Sequence, residues 1–169
     1  MSSLAVFLDR DGVINDNSRK VNQPADLILL PGVGAAIKQL KQAGYLVLIV
    51  TNQGGIELGY FTETDLAAIH SRLESQLREQ DAYIDEIVYC PHFHQDCGCR
   101  KPKPGMILAL AAKYNIELGK SWMIGDRESD ILAGKAVGCR TVKLGEADPH
   151  ADFNCRHLDE AVTFIVRNR

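Results

Sequence analysis

The chain has 169 residues, of which 46% are hydrophobic and 24% charged, and its formal net charge is −3. This length and composition are typical of a globular protein with its own core, and we expect a single domain over residues 1–169. The mild acidity disfavours a nucleic-acid partner, and no apolar run approaches the ~20 residues of a membrane span. Because Asp9 and Asp11 interrupt the only candidate signal peptide, we expect a cytoplasmic protein.

The first predicted strand, Leu4–Leu8, ends in two carboxylates separated by one residue. Asp9 and Asp11 follow the apolar run directly, and Gly12 lets the chain turn away. Open α/β sheets bind their ligands at the carboxyl ends of such buried parallel strands. One carboxylate can act as a nucleophile and a second as acid and base. We therefore predict a catalytic site here; taken alone, the pair also fits a solvated turn.

A polar stretch follows from Asn15 to Asp26, and we predict a loop that can fold over the site. Its cations Arg19 and Lys20 are candidates to bind an anionic substrate, although ordinary surface charges have the same pattern. Pro31 and Gly32 then begin a predicted helix, which ends at Gly44.

The second predicted strand, Tyr45–Val50, also ends in small polar residues and glycine, in the order Thr51-Asn52-Gln53-Gly54-Gly55. A hydroxyl and amides here, with the backbone N–H groups of a turn, are suited to hydrogen-bond a phosphoryl oxygen beside Asp9. The next helix is predicted from Thr62 to about Gln80, with His70 on its surface.

The third predicted strand, Ile84–Tyr89, leads into a loop with two ligand pairs, Cys-x-His and Cys-x-Cys, four residues apart. Three thiolates and one imidazole suit a closed tetrahedral zinc site, which would fix a loop that has little core of its own. His92 is favoured over His94, and free or oxidised cysteines are the alternative. The predicted structural zinc ligands are Cys90, His92, Cys97 and Cys99.

Two cations, Arg100 and Lys101, follow the zinc loop directly. Held beside a rigid loop, a lysine can bind phosphate as a point charge, and an arginine can add bidentate contacts. Pro104 begins the next predicted helix, which runs from Gly105 to about Tyr114.

The fourth predicted strand, Trp122–Gly125, ends in Asp126, and Asp130 follows four residues later. Asp126, Asp9 and the backbone of Asp11 would offer Mg²⁺ the oxygen ligands that it prefers. Asp130 would support the site or act as a helix-start charge. The remaining predicted elements are a helix at 131–137, a strand at 139–144, a turn-rich segment at 145–156 and a helix at 158–166.

These motifs resemble, in order, the four motifs of the haloacid dehalogenase superfamily of phosphatases. The matching stretches are Asp9-Arg10-Asp11-Gly12-Val13, Thr51-Asn52, Arg100-Lys101-Pro102, and Gly125-Asp126 through Asp130. The zinc loop resembles that of the small, nearly capless branch, which contains D-glycero-D-manno-heptose-1,7-bisphosphate 7-phosphatases and histidinol-phosphatases. The resemblance implies a Rossmann-like three-layer α/β/α sandwich with a mainly parallel sheet and a minimal cap.

The same resemblance implies the chemistry. Asp9 would attack phosphorus and form an aspartyl-phosphate, while Asp11 would protonate the leaving alcohol and later activate water. Thr51 and Lys101 would hold the transferring phosphoryl group, and Mg²⁺ would be bound by Asp9, Asp11 and Asp126. The predicted substrate-binding residues are Arg19, Lys20, Asn52, Gln53, Gly54 and Arg100.

The substrate-facing loops resemble the heptose enzymes only in part. Glu57-Leu58 replaces the Ala-Arg typical of those enzymes, and Ser18-Arg19-Lys20 replaces their His-Gly-Tyr. The short gap between His92 and Cys97, and Arg127 after the metal aspartate, look more like histidinol-phosphatases. We expect removal of the 7-phosphate of the heptose bisphosphate; histidinol phosphate or another small sugar phosphate is the alternative.

Two other classes of protein also carry paired aspartates. A phosphoacceptor signalling module has them at a strand end, but the zinc loop and the Arg100-Lys101 pair fit such a module poorly. A nucleic-acid end phosphatase would share Asp9 and Asp11, yet the acidic chain lacks a basic groove. We therefore expect a protein that acts on a small phosphorylated metabolite and binds neither nucleic acid nor membrane, and the resemblance to the small branch implies a monomer.

Overall fold

The computed structural model describes all 169 residues, and its centre is a six-stranded parallel sheet. The strands are β1 (Ala5–Leu8), β2 (Leu46–Asn52), β3 (Glu86–Cys90), β4 (Trp122–Gly125), β5 (Arg140–Leu144) and β6 (Phe153–Cys155). The helices are α1 (Val33–Gln42), α2 (Glu63–Arg78), α3 (Gly105–Tyr114), α4 (Glu128–Ala136) and α5 (Leu158–Arg167). None of these helices is long and apolar enough to cross a membrane.

The strand order places β1 in the middle of the sheet. The order is β3-β2-β1-β4-β5-β6, so β1 pairs with β2 on one side and with β4 on the other. The other strands that precede β4 in the chain lie on one side of β1, and those from β4 onward lie on the other side. Open α/β sheets bind ligands at such a switch point, beyond the carboxyl ends of the strands. Asp9 and Asp11 follow β1 at this point.

Helices cover both faces of the sheet because successive strand residues point to opposite sides. Val6 and Leu8 of β1 belong to a core of 27 buried residues that also includes residues of α1, α2 and α5. Ala5 and Phe7 belong to a second core of 11 residues, which includes residues of α3 and α4. All four β1 residues are fully buried, so the strand is an unbroken apolar run.

The predicted three-layer, Rossmann-like fold is confirmed, and the differences are local. The sequence predicts a turn-rich segment at 145–156 and no strand there, whereas the structure has the short strand β6 within it. This strand has three residues and pairs only with β5, starting at Val142 opposite Phe153, and so short an edge strand has no detectable periodicity. Thr51 and Asn52 are the last residues of β2 and do not follow it.

Candidate active site

Lys101 lies at the bottom of the site and joins two carboxylates. Its Nζ atom donates hydrogen bonds to Oδ1 of Asp9 at 2.9 Å, to Oδ1 of Asp130 at 2.6 Å and to the Val50 carbonyl at 2.7 Å. Burial acts to lower the pKa of Lys101, but the charges of Asp9 and Asp130 outweigh burial and raise it. An ammonium that is charged at neutral pH therefore lies beside the predicted nucleophile.

Four N–H donors restrain the carboxylate of Asp11. Oδ1 accepts from Nη2 and Nε of Arg10, at 2.8 and 3.2 Å, and from Nδ2 of Asn15 at 3.0 Å. Oδ2 accepts from Nε2 of Gln53 at 3.0 Å. Burial alone would raise the pKa of Asp11. The Arg10 charge and these hydrogen bonds together have a larger effect in the opposite direction, so the pKa lies below the usual value. Asp11 is therefore ionised and fixed in direction before substrate binds.

The residues at the end of β2 hold both Asp11 and Lys101 in place through hydrogen bonds. Nε2 of Gln53 donates to Oγ1 of the buried Thr51 at 3.0 Å as well as to Asp11. The Asn52 amide instead holds the backbone of Lys101, donating to its carbonyl at 3.0 Å and accepting from its N–H at 2.9 Å. Both polar atoms of the Asn52 amide therefore have partners within the protein. Substrate contact by this residue stays a prediction.

Asp126 follows β4 and completes a group of three carboxylates, with oxygens of Asp9, Asp126 and Asp130 within 4.8 Å of one another. Burial and then the charge of Asp9 raise the pKa of Asp126 to about 6. The same two causes raise the pKa of Asp130 to about 7. The Lys101 ammonium pairs with Asp9 and Asp130 only. The Arg127 charge lowers the pKa of Asp126 by less than burial and Asp9 raise it, so the cluster has an excess of negative charge.

This cluster fits Mg²⁺. Oδ1 of Asp126 is buried without any hydrogen-bond partner, which leaves one carboxylate oxygen free for a hard cation. Asp130 is already bonded to Lys101 and to the backbone N–H of Arg127, so it supports the site as the sequence suggests. Gly12 has a φ of 83°, and a Cβ there would collide with Asp126, so glycine is required for this approach.

The four predicted zinc ligands converge at the end of β3. Sγ of Cys90 lies 3.7 Å from Sγ of Cys97 and 2.9 Å from Sγ of Cys99. Nδ1 of His92 lies 3.6 and 3.5 Å from the sulfurs of Cys90 and Cys99. Tetrahedral zinc, with Zn–S of about 2.3 Å, separates two sulfur ligands by about 3.8 Å. The cluster can therefore hold zinc after a small outward shift of one sulfur.

A cavity of about 600 Å³ opens above Asp9 and Asp11. Three aspartates line it, namely Asp9, Asp11 and Asp130, together with six cationic residues, namely Arg10, Arg19, Lys20, Arg100, Lys101 and Arg127. The Lys20 ammonium lies 4.3 Å from the centre of the Tyr60 ring, and Arg100 donates to the His92 carbonyl at 2.9 Å. The structure thus brings all the predicted substrate-binding cations to the same cavity as the predicted nucleophile.

Glu57 is a functional candidate that the sequence does not reveal. Its carboxylate accepts the backbone N–H groups of Phe93, His94 and Gln95, at the tip of the zinc loop. These bonds, chiefly the one from His94, lower the pKa of Glu57. The only sequence signal is that Glu57 departs from the heptose enzymes' usual pattern, which does not predict the contact.

His70 is not the surface residue that the sequence predicts. Its ring is half-buried on α2, and Nε2 lies 3.1 Å from Nη1 of Arg10, which is itself 1% exposed. Sixty positions separate the two residues in the chain, so helical periodicity could not place this histidine beside the catalytic strand end.

Comparisons with known proteins agree with this geometry. Residues 98–161 match the HAD-hydrolase-like family model. The D-glycero-beta-D-manno-heptose-1,7-bisphosphate 7-phosphatase of Rhodopseudomonas palustris is 45% identical over 142 residues, 79% of each chain. The protein of the same name from Haemophilus ducreyi is 40% identical, covering 98% of this chain and 100% of its own. A D,D-heptose 1,7-bisphosphate phosphatase from B. bronchiseptica, crystallised with magnesium and phosphate, has a TM-score of 0.90 at 32% identity, covering 98% of this chain and 99% of its own.

Proposed function

This chain belongs to the haloacid dehalogenase superfamily and is a phosphatase, and we propose that it removes the 7-phosphate of D-glycero-D-manno-heptose 1,7-bisphosphate. The observation that carries this proposal is the similarity to relatives named for that reaction, which reaches 40% identity over nearly the whole chain. Mg²⁺ is the catalytic cofactor, and the cysteine and histidine cluster can bind zinc, for which we propose a structural role.

The charge distribution of the cavity supports a bisphosphate substrate. One phosphate would lie at Asp9, between Lys101 and Thr51. The second phosphate does not react and needs cations elsewhere, and Arg19, Lys20 and Arg100 line the same cavity. Histidinol phosphate, the alternative suggested by Arg127 and the short zinc loop, carries an ammonium group that these cations would repel.

In the first half-reaction, a carboxylate oxygen of Asp9 attacks phosphorus. The new bond makes an aspartyl-phosphate, and the bond from phosphorus to the sugar oxygen breaks. The negative charge of the bound phosphate raises the pKa of Asp11, so that its carboxylate takes up a proton from solvent and gives it to that oxygen, which leaves as an alcohol. Lys101 and Thr51 hold the phosphoryl oxygens, and Mg²⁺, when bound by Asp9, Asp126 and the Asp11 backbone, offsets negative charge on the phosphoryl group.

In the second half-reaction, water attacks the phosphorus of the aspartyl-phosphate. Asp11, now a carboxylate, accepts a proton from this water, and the Asp9 carboxylate is released together with inorganic phosphate. The fork from Arg10 and the hydrogen bonds from Asn15 and Gln53 keep Asp11 aimed in one direction through both steps.

A phosphate-release assay tests this substrate assignment. The substrates are the heptose 1,7-bisphosphate, the corresponding 7-monophosphate, and histidinol phosphate. We expect the highest kcat/KM for the bisphosphate, by about tenfold or more, because only that substrate uses the second set of cations. A higher kcat/KM for histidinol phosphate would contradict the proposal.

A further inference from the structure

His70 of α2 reaches the catalytic strand end through a single arginine. Nε2 of His70 lies 3.1 Å from Nη1 of Arg10, and the other side of the same guanidinium forks onto Oδ1 of Asp11 through Nε and Nη2. The three side chains therefore form one chain of contacts, from a helix on the sheet face to the predicted acid and base.

The direction of the first hydrogen bond follows from the donor. A guanidinium has five N–H donors and no acceptor, so Nε2 of His70 must be the unprotonated nitrogen. Burial and then the Arg10 charge lower the pKa of His70 to about 4, which keeps the imidazole neutral at neutral pH. Two other groups lie near the ring. The Asp11 charge raises the pKa of His70 by a smaller amount, and the Tyr89 ring lies tilted to the imidazole with its centre 6.3 Å away.

Arg10 needs this acceptor because it is almost completely buried. It is 1% exposed, and Asp11 occupies only Nε and Nη2. Without His70, the Nη1 group would lose its acceptor inside the protein, and an unsatisfied buried donor is costly. The guanidinium would then turn to find another acceptor, and its planar fork onto Asp11 would be lost.

We propose that His70 is a positioning residue for proton transfer by Asp11, acting through Arg10. The inference rests on the proposed function, in which Asp11 protonates the leaving oxygen. Substitution of His70 should therefore lower kcat/KM most for a substrate whose leaving group needs a proton, and little for a substrate whose leaving group does not.

Two aryl phosphates of similar size test this prediction. Phenyl phosphate releases a basic phenolate, whereas 4-nitrophenyl phosphate releases an anion that is stable without protonation. The kcat/KM value reports formation of the aspartyl-phosphate for both substrates. We expect His70→Phe, which keeps a ring but has no acceptor, to lower kcat/KM by about tenfold for phenyl phosphate and less than about threefold for 4-nitrophenyl phosphate.

Three further variants control the experiment. His70→Gln keeps a side-chain acceptor for Arg10 and should recover most of the activity on phenyl phosphate. Glu74→Gln changes an exposed residue one turn further along α2 and should leave both substrates unaffected. The melting temperature of each variant is measured alongside, because α2 also contributes to the core.

The outcomes separate this inference from the function on which it rests. Asp11→Asn should show the same leaving-group dependence in a stronger form. If it does, but His70→Phe lowers kcat/KM equally for both substrates, His70 has a structural role only and the inference is overturned. If Asp11→Asn itself shows no leaving-group dependence, the acid role of Asp11 in the proposed function is wrong, and the role of His70 is wrong with it.

Discussion

Nζ of Lys101 lies 2.6 Å from Oδ1 of Asp130, and the two side chains are only 3% and 1% exposed. The same ammonium also pairs with Asp9, while Asp126 lies in the same cluster without a salt bridge and has only the weaker effect of the Arg127 charge. The three carboxylates therefore exceed the positive charge that is paired with them. This imbalance makes the site's stability depend on pH and on a divalent cation.

Mg²⁺ should stabilise the enzyme more at about pH 8 than at about pH 5. The pKa of Asp126 is raised to about 6 and that of Asp130 to about 7, from 3.8. A carboxyl group with a raised folded-state pKa stabilises the fold below its unfolded pKa and loses that contribution as pH rises through the folded pKa. Mg²⁺ binds the ionised form and offsets this loss, so the shift in melting temperature caused by Mg²⁺ should grow over this range.

Differential scanning fluorimetry with and without Mg²⁺ at each pH measures this shift. The comparison at one pH cancels the opposite contribution of His70, whose lowered pKa destabilises the fold as pH falls below 6.5. Asp126→Asn is the control and should abolish most of the Mg²⁺ effect. An equal shift at both pH values would count against this metal site.

Asp9→Asn should abolish phosphate release and leave the protein folded. A neutral amide cannot form the aspartyl-phosphate, whereas its oxygen can still accept the hydrogen bond from Lys101. Turnover by phosphate release and intact mass after rapid acid quench measure the two effects, since only the wild type should gain a phosphoryl group. Retention of about a tenth of wild-type turnover would rule out covalent catalysis by Asp9.

Purified enzyme should contain one zinc ion per chain, held more firmly than Mg²⁺. Cys97→Ser should lower both zinc content and melting temperature, the latter by about 5 °C or more, because metal binding adds to folding. Cys139→Ala is the matched control: Cys139 is buried outside the cluster, so this variant should keep its zinc. Elemental analysis of protein purified without chelator decides the matter, and absence of zinc there contradicts the structural site.

Glu57→Ala should weaken substrate binding without releasing zinc. The carboxylate holds the tip of the zinc loop through three backbone N–H groups, and the Phe93 ring at this tip lies against Gly54 and 5.0 Å from the Arg100 guanidinium. A looser tip should raise KM for the bisphosphate by about three- to tenfold with a smaller change in kcat. Steady-state kinetics and zinc content are measured together, and Glu79→Ala, at an exposed site, is the control. Loss of zinc in Glu57→Ala would show that the contact serves the metal site instead.

Joint substitution of Arg19 and Lys20 by alanine should raise KM for the bisphosphate by about tenfold or more. Both side chains are exposed and line the cavity, so we expect them to contact the second phosphate and not the reacting one. A small monophosphate ester should therefore be almost unaffected. Equal effects on the two substrates would mean that the loop serves closure or folding, and no effect on either would make both residues ordinary surface charges.

The residues at strand ends could be predicted from the sequence because parallel strands end at the same edge of the sheet. Asp9, Thr51 and Asp126 each come at or directly after a buried apolar run, and these runs form neighbouring strands. The zinc ligands were predictable for a different reason, since two close-spaced ligand pairs define a site almost without tertiary structure.

The contacts that the sequence does not reveal all join distant segments through side chains. Glu57 binds backbone groups about 36 positions away, and Arg10 meets His70 over 60 positions. Asn52 provides a third example, because its amide hydrogen-bonds the backbone of Lys101, which lies 49 positions away in the chain. Such contacts depend on which helix and loop pack together, and local periodicity contains no information on that choice.

The central position of β1 has a consequence for synthesis of the protein on the ribosome. The strand β1 is synthesised well before β4. The backbone N–H group of Ala5 in this strand has no native acceptor until Ser121, 116 residues later, has been added to the chain. Such non-local pairing makes folding slow. A nascent chain that ends before Trp122 would have its nucleophile but neither β4 nor Asp126. We expect that no phosphatase activity can appear until about three quarters of the chain has left the exit tunnel.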